Sequence, residues 1–475
     1  MRGKLISASI QRTKYVLCDL LMTGIAFCLF NVYRYFILHL ATETSLSLFS
    51  YLGTTKLVME QIFIPVCMLG LYWLSGYYNR PFDKSRLQEF VTTIFSSLLG
   101  SLLIYLALLT NDFISRAIVN YEMLLTLFLL LLFFLYLGRF SITQNAINKF
   151  YAHRWSINTV VVGNSRMARE TAYRLARSSA RLGYNILGFV SIPGERDVND
   201  DRMTFSMDEL PSLCEEGRVD QIIISTDGRD EEKVLQLLSL LFPLGVPIKI
   251  TPDTFSYVTS GIRLQDIYGE PFIDLAAPST SESAKNIKRF LDVLFSALAL
   301  VILSPLLGVV AILVKRSSPG PVIYSQERVG YRKRPFRIYK FRSMYTDAEA
   351  SGPRLSTDGD SRITPLGRIL RKYRIDELPQ FWNVLKGDMS LVGPRPERAY
   401  FIEQIVKYAP YYTLVSQVRP GITSWGMVKY GYASSVEQMV ERTRFDLIYL
   451  SNMSTLVDFK IMIYTVKTVL TGRGV

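Results

Sequence analysis

Two adjacent carboxylates, Asp376 and Glu377, close the most cationic part of the chain, in Arg371-Lys372-Tyr373-Arg374-Ile375-Asp376-Glu377-Leu378-Pro379-Gln380. From Lys315 to Arg374 there are 15 Lys or Arg against 5 Asp or Glu, an excess of ten beside a net charge of +13 for the whole chain. Carboxylates among cations stay ionised at neutral pH. An ionised carboxylate can hold a divalent metal or attack a phosphorus centre. The pair also suits a helix start, because Pro379 fits a first turn and an acidic residue there caps it and favours its dipole. On the dyad alone, capping is the commoner role of acidic residues. The elements around it must decide.

The chain has 475 residues, enough for two or three domains, and is 49% hydrophobic, which points to membrane segments joined to folded soluble parts. Its positive charge suits phosphates, nucleotides or an anionic membrane face. Nucleic acid is not an expected partner of a membrane-embedded chain. Cys18, Cys28, Cys67 and Cys214 show no paired spacing, so neither a disulfide framework nor a zinc site is expected. The two histidines, His39 and His153, lie in or beside the apolar region. Chemistry further on must therefore use carboxylates, Lys, Tyr or Cys.

Four apolar runs, Val16 to Leu38, Leu57 to Leu74, Val91 to Leu109 and Tyr121 to Leu137, approach bilayer-crossing length. They predict a four-helix transmembrane region over residues 1–150. Lys and Arg cluster before the first run, between the second and third, and after the fourth, which puts both ends of the bundle in the cytoplasm. Residues 151–278 alternate strand and helix patterns, with strands at Ile157 to Gly163, Ile186 to Val190, Gln221 to Ser225 and Val246 to Ile250. That pattern predicts a Rossmann-like α/β domain. Its first turn, Gly163-Asn164-Ser165-Arg166-Met167-Ala168, has Ser165 where a dinucleotide fingerprint needs glycine, and no acidic residue ends the second strand. A degenerate site with a regulatory or dimerising role is expected, and a homodimer is compatible with it.

Residues 279–475 open with an apolar segment, about 288–315, long enough to be a fifth span. Basic residues flank both of its ends, and Ser304-Pro305 stands at its midpoint. Proline removes a helix hydrogen bond and bends the axis, and Ser304 can satisfy a freed carbonyl. A helix–break–helix that dips into one leaflet and returns explains both facts, with a proline-kinked crossing as the alternative. Tyr400 to Tyr412 suits either an interfacial amphipathic helix or core packing, and Leu456 to Leu470 reads as a last helix, apolar on one face.

Distinctive motifs follow one another here: Ser318-Pro319-Gly320-Pro321, Gln326-Glu327-Arg328-Val329-Gly330, Lys340-Phe341-Arg342-Ser343-Met344, Arg362-Ile363-Thr364-Pro365-Leu366-Gly367-Arg368, the dyad, Gly387-Asp388-Met389-Ser390-Leu391-Val392-Gly393-Pro394-Arg395-Pro396-Glu397 and Pro420-Gly421-Ile422-Thr423-Ser424-Trp425-Gly426. From about Lys285 to the C-terminus this series resembles the bacterial sugar transferases, monotopic polyprenyl-phosphate sugar-1-phosphate transferases, and the whole chain resembles their large members. The resemblance implies a mainly α-helical catalytic domain with a re-entrant helix at Ser304 and Pro305. It implies that Asp376 attacks the β-phosphorus of a UDP-sugar, expels UMP and passes the phosphosugar to undecaprenyl phosphate. Glu377, with Asp376, would bind Mg²⁺, and Lys340, Arg342, Arg368 and Arg395 are the phosphate-contact candidates. The implied setting is the bacterial inner membrane, with its lipids as partners and the catalytic domain on the cytoplasmic face, at the first membrane step of exopolysaccharide, capsule or O-antigen synthesis. The family's large members favour glucose or galactose, with N-acetylated sugars behind.

Two other readings compete. A catalytically silent scaffold for a polysaccharide assembly complex predicts decay of the dyad or its phosphate-binding neighbours, and all are present. A nucleotide-sugar oxidoreductase or epimerase would need an intact fingerprint and a Tyr-x-x-x-Lys pair in the middle domain, and neither is there.

Overall fold

The computed structural model describes residues 7–42, 47–82, 84, 86–109, 117–152, 154–163, 165–192, 203–225, 231–251, 273–274, 280–348, 352, 354–355, 360–431 and 433–470. His153, Asn164 and the end of the middle domain lie outside them.

The four expected runs form α1 (Ala8–Thr42), α2 (Thr55–Leu74), α3 (Arg86–Leu109) and α4 (Ala117–Tyr151). Phe27, Phe30, Leu127, Leu131 and Leu135 are buried between them, while Ile62, Phe63, Phe95 and Phe133 face outward. Helices apolar inside and outside belong in lipid. Two ion pairs between interior charges join the helices. Arg139 donates to both oxygens of Asp19, at 2.7 Å to Oδ2, and Arg34 stands 3.6 Å from Glu60. A charge alone in that setting would be costly, so the pairs pin α1 to α4 and to α2. Among the described residues, five helices are long and apolar enough to cross a membrane; the fifth is Glu282–Ser317.

Strands β1 (Ile157–Val162), β2 (Tyr184–Val190), β3 (Met203–Phe205), β4 (Gln221–Ile224), β5 (Ile248–Ile250) and β6 (Ile273–Asp274) make one sheet in the order β3-β2-β1-β4-β5-β6. All pairs are parallel except β5 with β6. Val160, Val162, Ile222 and Ile224 are fully covered, which is why these strands read as continuous apolar runs. Between β1 and β2 lies α5 (Arg166–Leu182), and before β5 lies α6 (Glu231–Leu241). Strand β3 was not expected, since three residues carry too little alternation to stand out.

The apolar segment is a single helix, α7 (Glu282–Ser317), capped by the Ser281 hydroxyl. The expected break at Ser304-Pro305 is not an interruption. Pro305 cannot donate to the Val301 carbonyl, but the Ser304 hydroxyl does so at 2.8 Å, and the helix continues. Both ends of α7 pack on the same unit. Asp292 accepts from Ser390 Oγ and Leu391 N, and Arg289 donates to the carbonyls of Val384 and Leu385. Near the other end, Val310 and Val314 pack with Phe341 and Leu370. Between them Val301, Ile302, Leu306 and Val309 are exposed.

That unit contains a hairpin of β7 (Ile323–Val329) and β8 (Pro335–Phe341), then α8 (Pro365–Lys372) and α9 (Gln380–Lys386). Strand β9 (Ser390–Val392) follows, with α10 (Ala399–Tyr408), β10 (Gly421–Thr423) parallel to β9, α11 (Val436–Ser451) and α12 (Thr455–Leu470). Phe401, Ile405 and Tyr412 are buried in one cluster with Val415 and Met439, so the Tyr400–Tyr412 segment is largely core. Leu414, in the turn Pro410–Gln417, packs into the apolar core of the sheet.

Candidate active site

Thr364 begins the construction by accepting the Gly367 amide at 2.9 Å, and Pro365 supplies a pre-set first helical position for α8. Past α8, Arg374 adopts a left-handed conformation (φ 52°), rare for a side chain other than Gly, Asn or Asp. It turns the chain into a short 3₁₀ turn, Ile375–Glu377, whose Ile375 packs against the cluster holding Val310, Val314 and Phe341. That packing pulls the dyad inward, leaving Asp376 7% and Glu377 8% exposed. The next helix, α9, has Pro379 at its cap position and no side-chain cap. The capping role expected from the dyad alone is therefore not what these carboxylates do.

Glu377 is gripped by cations. Lys340 Nζ donates to its Oε1 at 2.7 Å, Arg374 to its Oε2 at 3.3 Å, and an Arg395 nitrogen stands 3.7 Å from Oε1. Burial opposes its ionisation, but Lys340, Arg395 and Arg374 outweigh that and hold the carboxyl well below the usual range. Asp376 goes the other way. Burial and the neighbouring Glu377 charge push it up against Lys340, Arg371 and Arg374. One carboxylate is thus a fixed anion and the other is a poorly solvated, more basic one.

Arg395 is held from behind. Its guanidinium lies 3.9 Å from Glu397 and 3.0 Å from Met427 Sδ. Glu397, 4% exposed, accepts from Arg442 at 2.6 Å and from Arg328 at 3.3 Å. One turn along α11, Asp446 accepts the Gly426 amide at 3.0 Å. Burial raises its pKa to about 6, although Arg442 and the Gly426 amide favour its charged form. Arg442 and Asp446 were not anticipated. Their partners lie 45 and 20 residues away, and α11 carries no motif.

The dyad opens on a cavity of about 370 Å³ lined by Lys340, Arg342, Arg371, Arg374, Arg395, Glu397, Arg398 and Arg442 among others. Three of the four phosphate candidates, Lys340, Arg342 and Arg395, reach this lining. Arg342 is bound to main chain, however, donating to the carbonyls of Val314, Ser318 and Pro319 at 3.2, 2.6 and 2.9 Å. It thereby closes the C-terminal end of α7. Arg368 lies on the exposed face of α8, outside the lining, whereas Arg371 one turn later is within it. Asn383, on α9, fixes β8 by accepting from Tyr339 N and donating to Arg337 O, which places Lys340 beside Glu377.

Two hard oxygen donors suit Mg²⁺, which takes one or two carboxylates and completes its shell from phosphates and water. Among the described residues no group of three or more His, Cys, Asp or Glu could hold a metal, so a closed protein cage is not built there. A metal there would be held by Asp376 and Glu377 together with phosphate oxygens, in competition with Lys340, Arg374 and Arg395 at Glu377.

In the sheet domain, Ser165 is buried and its hydroxyl accepts the Ala168 amide at 3.4 Å, capping α5 from within. A Cβ on Gly163 (φ 125°) would stand 2.1 Å from the Ser225 carbonyl, so the ends of β1 and β4 meet closely where a pyrophosphate would approach.

Residues 283–472 match the bacterial sugar transferase family, and residues 74–252 match a CoA-binding domain family. The UDP-N-acetylgalactosamine-undecaprenyl-phosphate N-acetylgalactosaminephosphotransferase of Aeromonas hydrophila is 47% identical over 188 residues, 40% of this chain and 44% of its own length. The UDP-glucose:undecaprenyl-phosphate glucose-1-phosphate transferase of Escherichia coli K12 is 32% identical over 316 residues, 66% of this chain and 68% of its own. A protein of the same description from Caulobacter vibrioides is 42% identical over 190 residues, 39% of this chain and 70% of its own. With the transferase segment matched and several apolar helices ahead of it, the chain belongs to the bacterial sugar transferases, in their large form.

Proposed function

We propose that this chain transfers a sugar-1-phosphate from a UDP-sugar to undecaprenyl phosphate, giving undecaprenyl-diphospho-sugar and UMP at the first membrane step of exopolysaccharide, capsule or O-antigen synthesis. The observation that carries it is the pairing of a cation-locked Glu377 with a more basic, buried Asp376 on one cavity. A carboxylate oxygen of Asp376 bonds to the β-phosphorus as the bond from that phosphorus to the bridging oxygen breaks. UMP leaves with the bridging oxygen and the electron pair. An oxygen of the lipid phosphate then bonds to the same phosphorus as the Asp376–phosphorus bond breaks, which frees the carboxylate. Splitting the transfer lets a water-soluble donor and a lipid acceptor use one site in turn.

Lys340, Arg371, Arg374 and Arg395 stabilise the phosphate charge, with Arg395 kept in place by Glu397. Mg²⁺ on Glu377 and Asp376 would neutralise the diphosphate and the departing UMP. The site sits on the cytoplasmic face of the bacterial inner membrane. Supporting this, both ends of α7 pack on the one unit that carries the dyad, which favours a helix dipping into one leaflet over a fifth crossing. Four spans, a sheet domain and a transferase domain are the corresponding division. The test is UMP release from a panel of UDP-sugars in membranes containing undecaprenyl phosphate and Mg²⁺. Release with one donor is expected and also identifies the sugar; no release with any common donor refutes the proposal.

A further inference from the structure

The cavity has two walls of different chemistry. One is the dyad with Lys340, Arg371 and Arg374. The other carries an apolar patch: Phe401, Ala433 and Met439 are buried members of one cluster, with Leu355 packed against them, and all four line the cavity, with Arg354, Arg398 and Arg442 close by in the chain also in the lining. Arg395 marks the seam, 3.7 Å from Glu377 on one side and 3.9 Å from Glu397 on the other. Phosphates make no use of an apolar wall, because their oxygens need donors and cations. We propose that this wall seats the pyrimidine nucleoside of the donor, with the diphosphate running from there past Arg395 to Asp376. The assignment rests on the activity proposed above and deepens it.

Two other occupants fit less well. A hexose carries hydroxyls around its rim, and Leu, Phe, Ala and Met would leave them without partners. A pyrimidine has two flat, largely apolar faces, and Phe and the pliable thioether of Met are good surfaces for such a ring. The polyprenyl chain would arrive by α7, whose contacts run through Val310, Val314, Phe341 and Leu370 to Ile375, next to Asp376. That is a separate cluster. The apolar wall instead continues through Val415 into the turn Pro410–Gln417, whose Leu414 enters the core of the sheet domain. Lipid and nucleoside would thus meet the dyad from different sides, which suits a site used by each in turn.

The experiment uses the full-length protein in lipid nanodiscs and measures binding of UMP and of inorganic pyrophosphate to the wild type, Met439→Ala and Ala433→Phe. Met439→Ala removes part of the wall and should weaken UMP about tenfold, within the range for lost apolar contacts in a ligand pocket. Ala433→Phe fills the space and should weaken it at least as much. Pyrophosphate should bind all three alike. Parallel loss of both ligands, or retention of both, would overturn the assignment. So would a change in the preferred UDP-sugar with UMP binding intact, since that places the sugar on this wall. Wild type that binds neither ligand would instead remove the activity beneath the assignment. Should Ala433→Phe fail to fold, as judged by its melting transition, Met439→Ala decides alone.

Discussion

Lys340 Nζ donates to Glu377 Oε1 at 2.7 Å, which ties the end of the β7–β8 hairpin to the turn that follows α8. Both side chains are mostly buried, at 19% and 9% exposed. The pair keeps Glu377 ionised and fixes it beside Asp376. Replacing Lys340 by Met leaves a buried carboxylate with fewer partners. Turnover should fall by about 10²–10³-fold, and stability by roughly 3 kcal/mol. Initial rates and melting curves on one preparation check both. Unchanged turnover would show that the ion pair has no part in the chemistry.

Arg342 is a different case. With its guanidinium on three carbonyls at the end of α7, Arg342→Ala should lower stability by about 2–3 kcal/mol. Activity should then follow the folded fraction, with an unchanged KM for the donor. A raised KM in fully folded protein would mean that Arg342 contacts phosphate directly. Arg368→Ala, on the exposed face of α8, should shift stability by no more than about 0.5 kcal/mol.

Asp446 gives a pH signature. Burial raises its folded pKa to about 6, above the value of about 3.9 for an unfolded aspartate. A raised pKa means that the folded state binds the proton more tightly. The stabilisation is therefore complete below about pH 4 and is lost as pH rises through about 6. Relative to Asp446→Asn, wild type should lose roughly 2–3 kcal/mol across that window. A difference between the two melting curves that does not vary with pH would contradict this.

The path of α7 can be followed with single cysteines at Ser283 and Lys315 in a variant lacking Cys18, Cys28, Cys67 and Cys214. A membrane-impermeant thiol reagent should label both positions in inside-out vesicles and neither in right-side-out ones. Labelling from opposite sides would make α7 a crossing helix.

Much of this architecture can be read from the chain, because its signals are local. Long apolar runs, period changes and the dyad in its basic setting each lie within one segment. What escaped the sequence comes from contacts between distant segments. Arg442 and Asp446 act on Glu397 and on the Gly426 amide, 45 and 20 residues away in the chain. The cationic motif Lys340-Phe341-Arg342 does not reveal that Lys340 meets a carboxylate while Arg342 binds carbonyls of α7 and the loop after it. Proline at 305 reads as a break, yet the helix continues because the preceding serine supplies the missing donor. Arg368 and Arg371 look equivalent in sequence, and only the direction of α8 separates them.

In the proposed mechanism Asp376 forms a bond to the donor's β-phosphorus. This step is tested most directly by incubating the protein, without lipid acceptor, with a UDP-sugar labelled at that phosphorus. Wild type should release UMP stoichiometrically and retain the label on protein, at Asp376. Asp376→Asn, folded to the same melting temperature, should do neither. Label on protein and release of UMP persisting in Asp376→Asn would contradict the account.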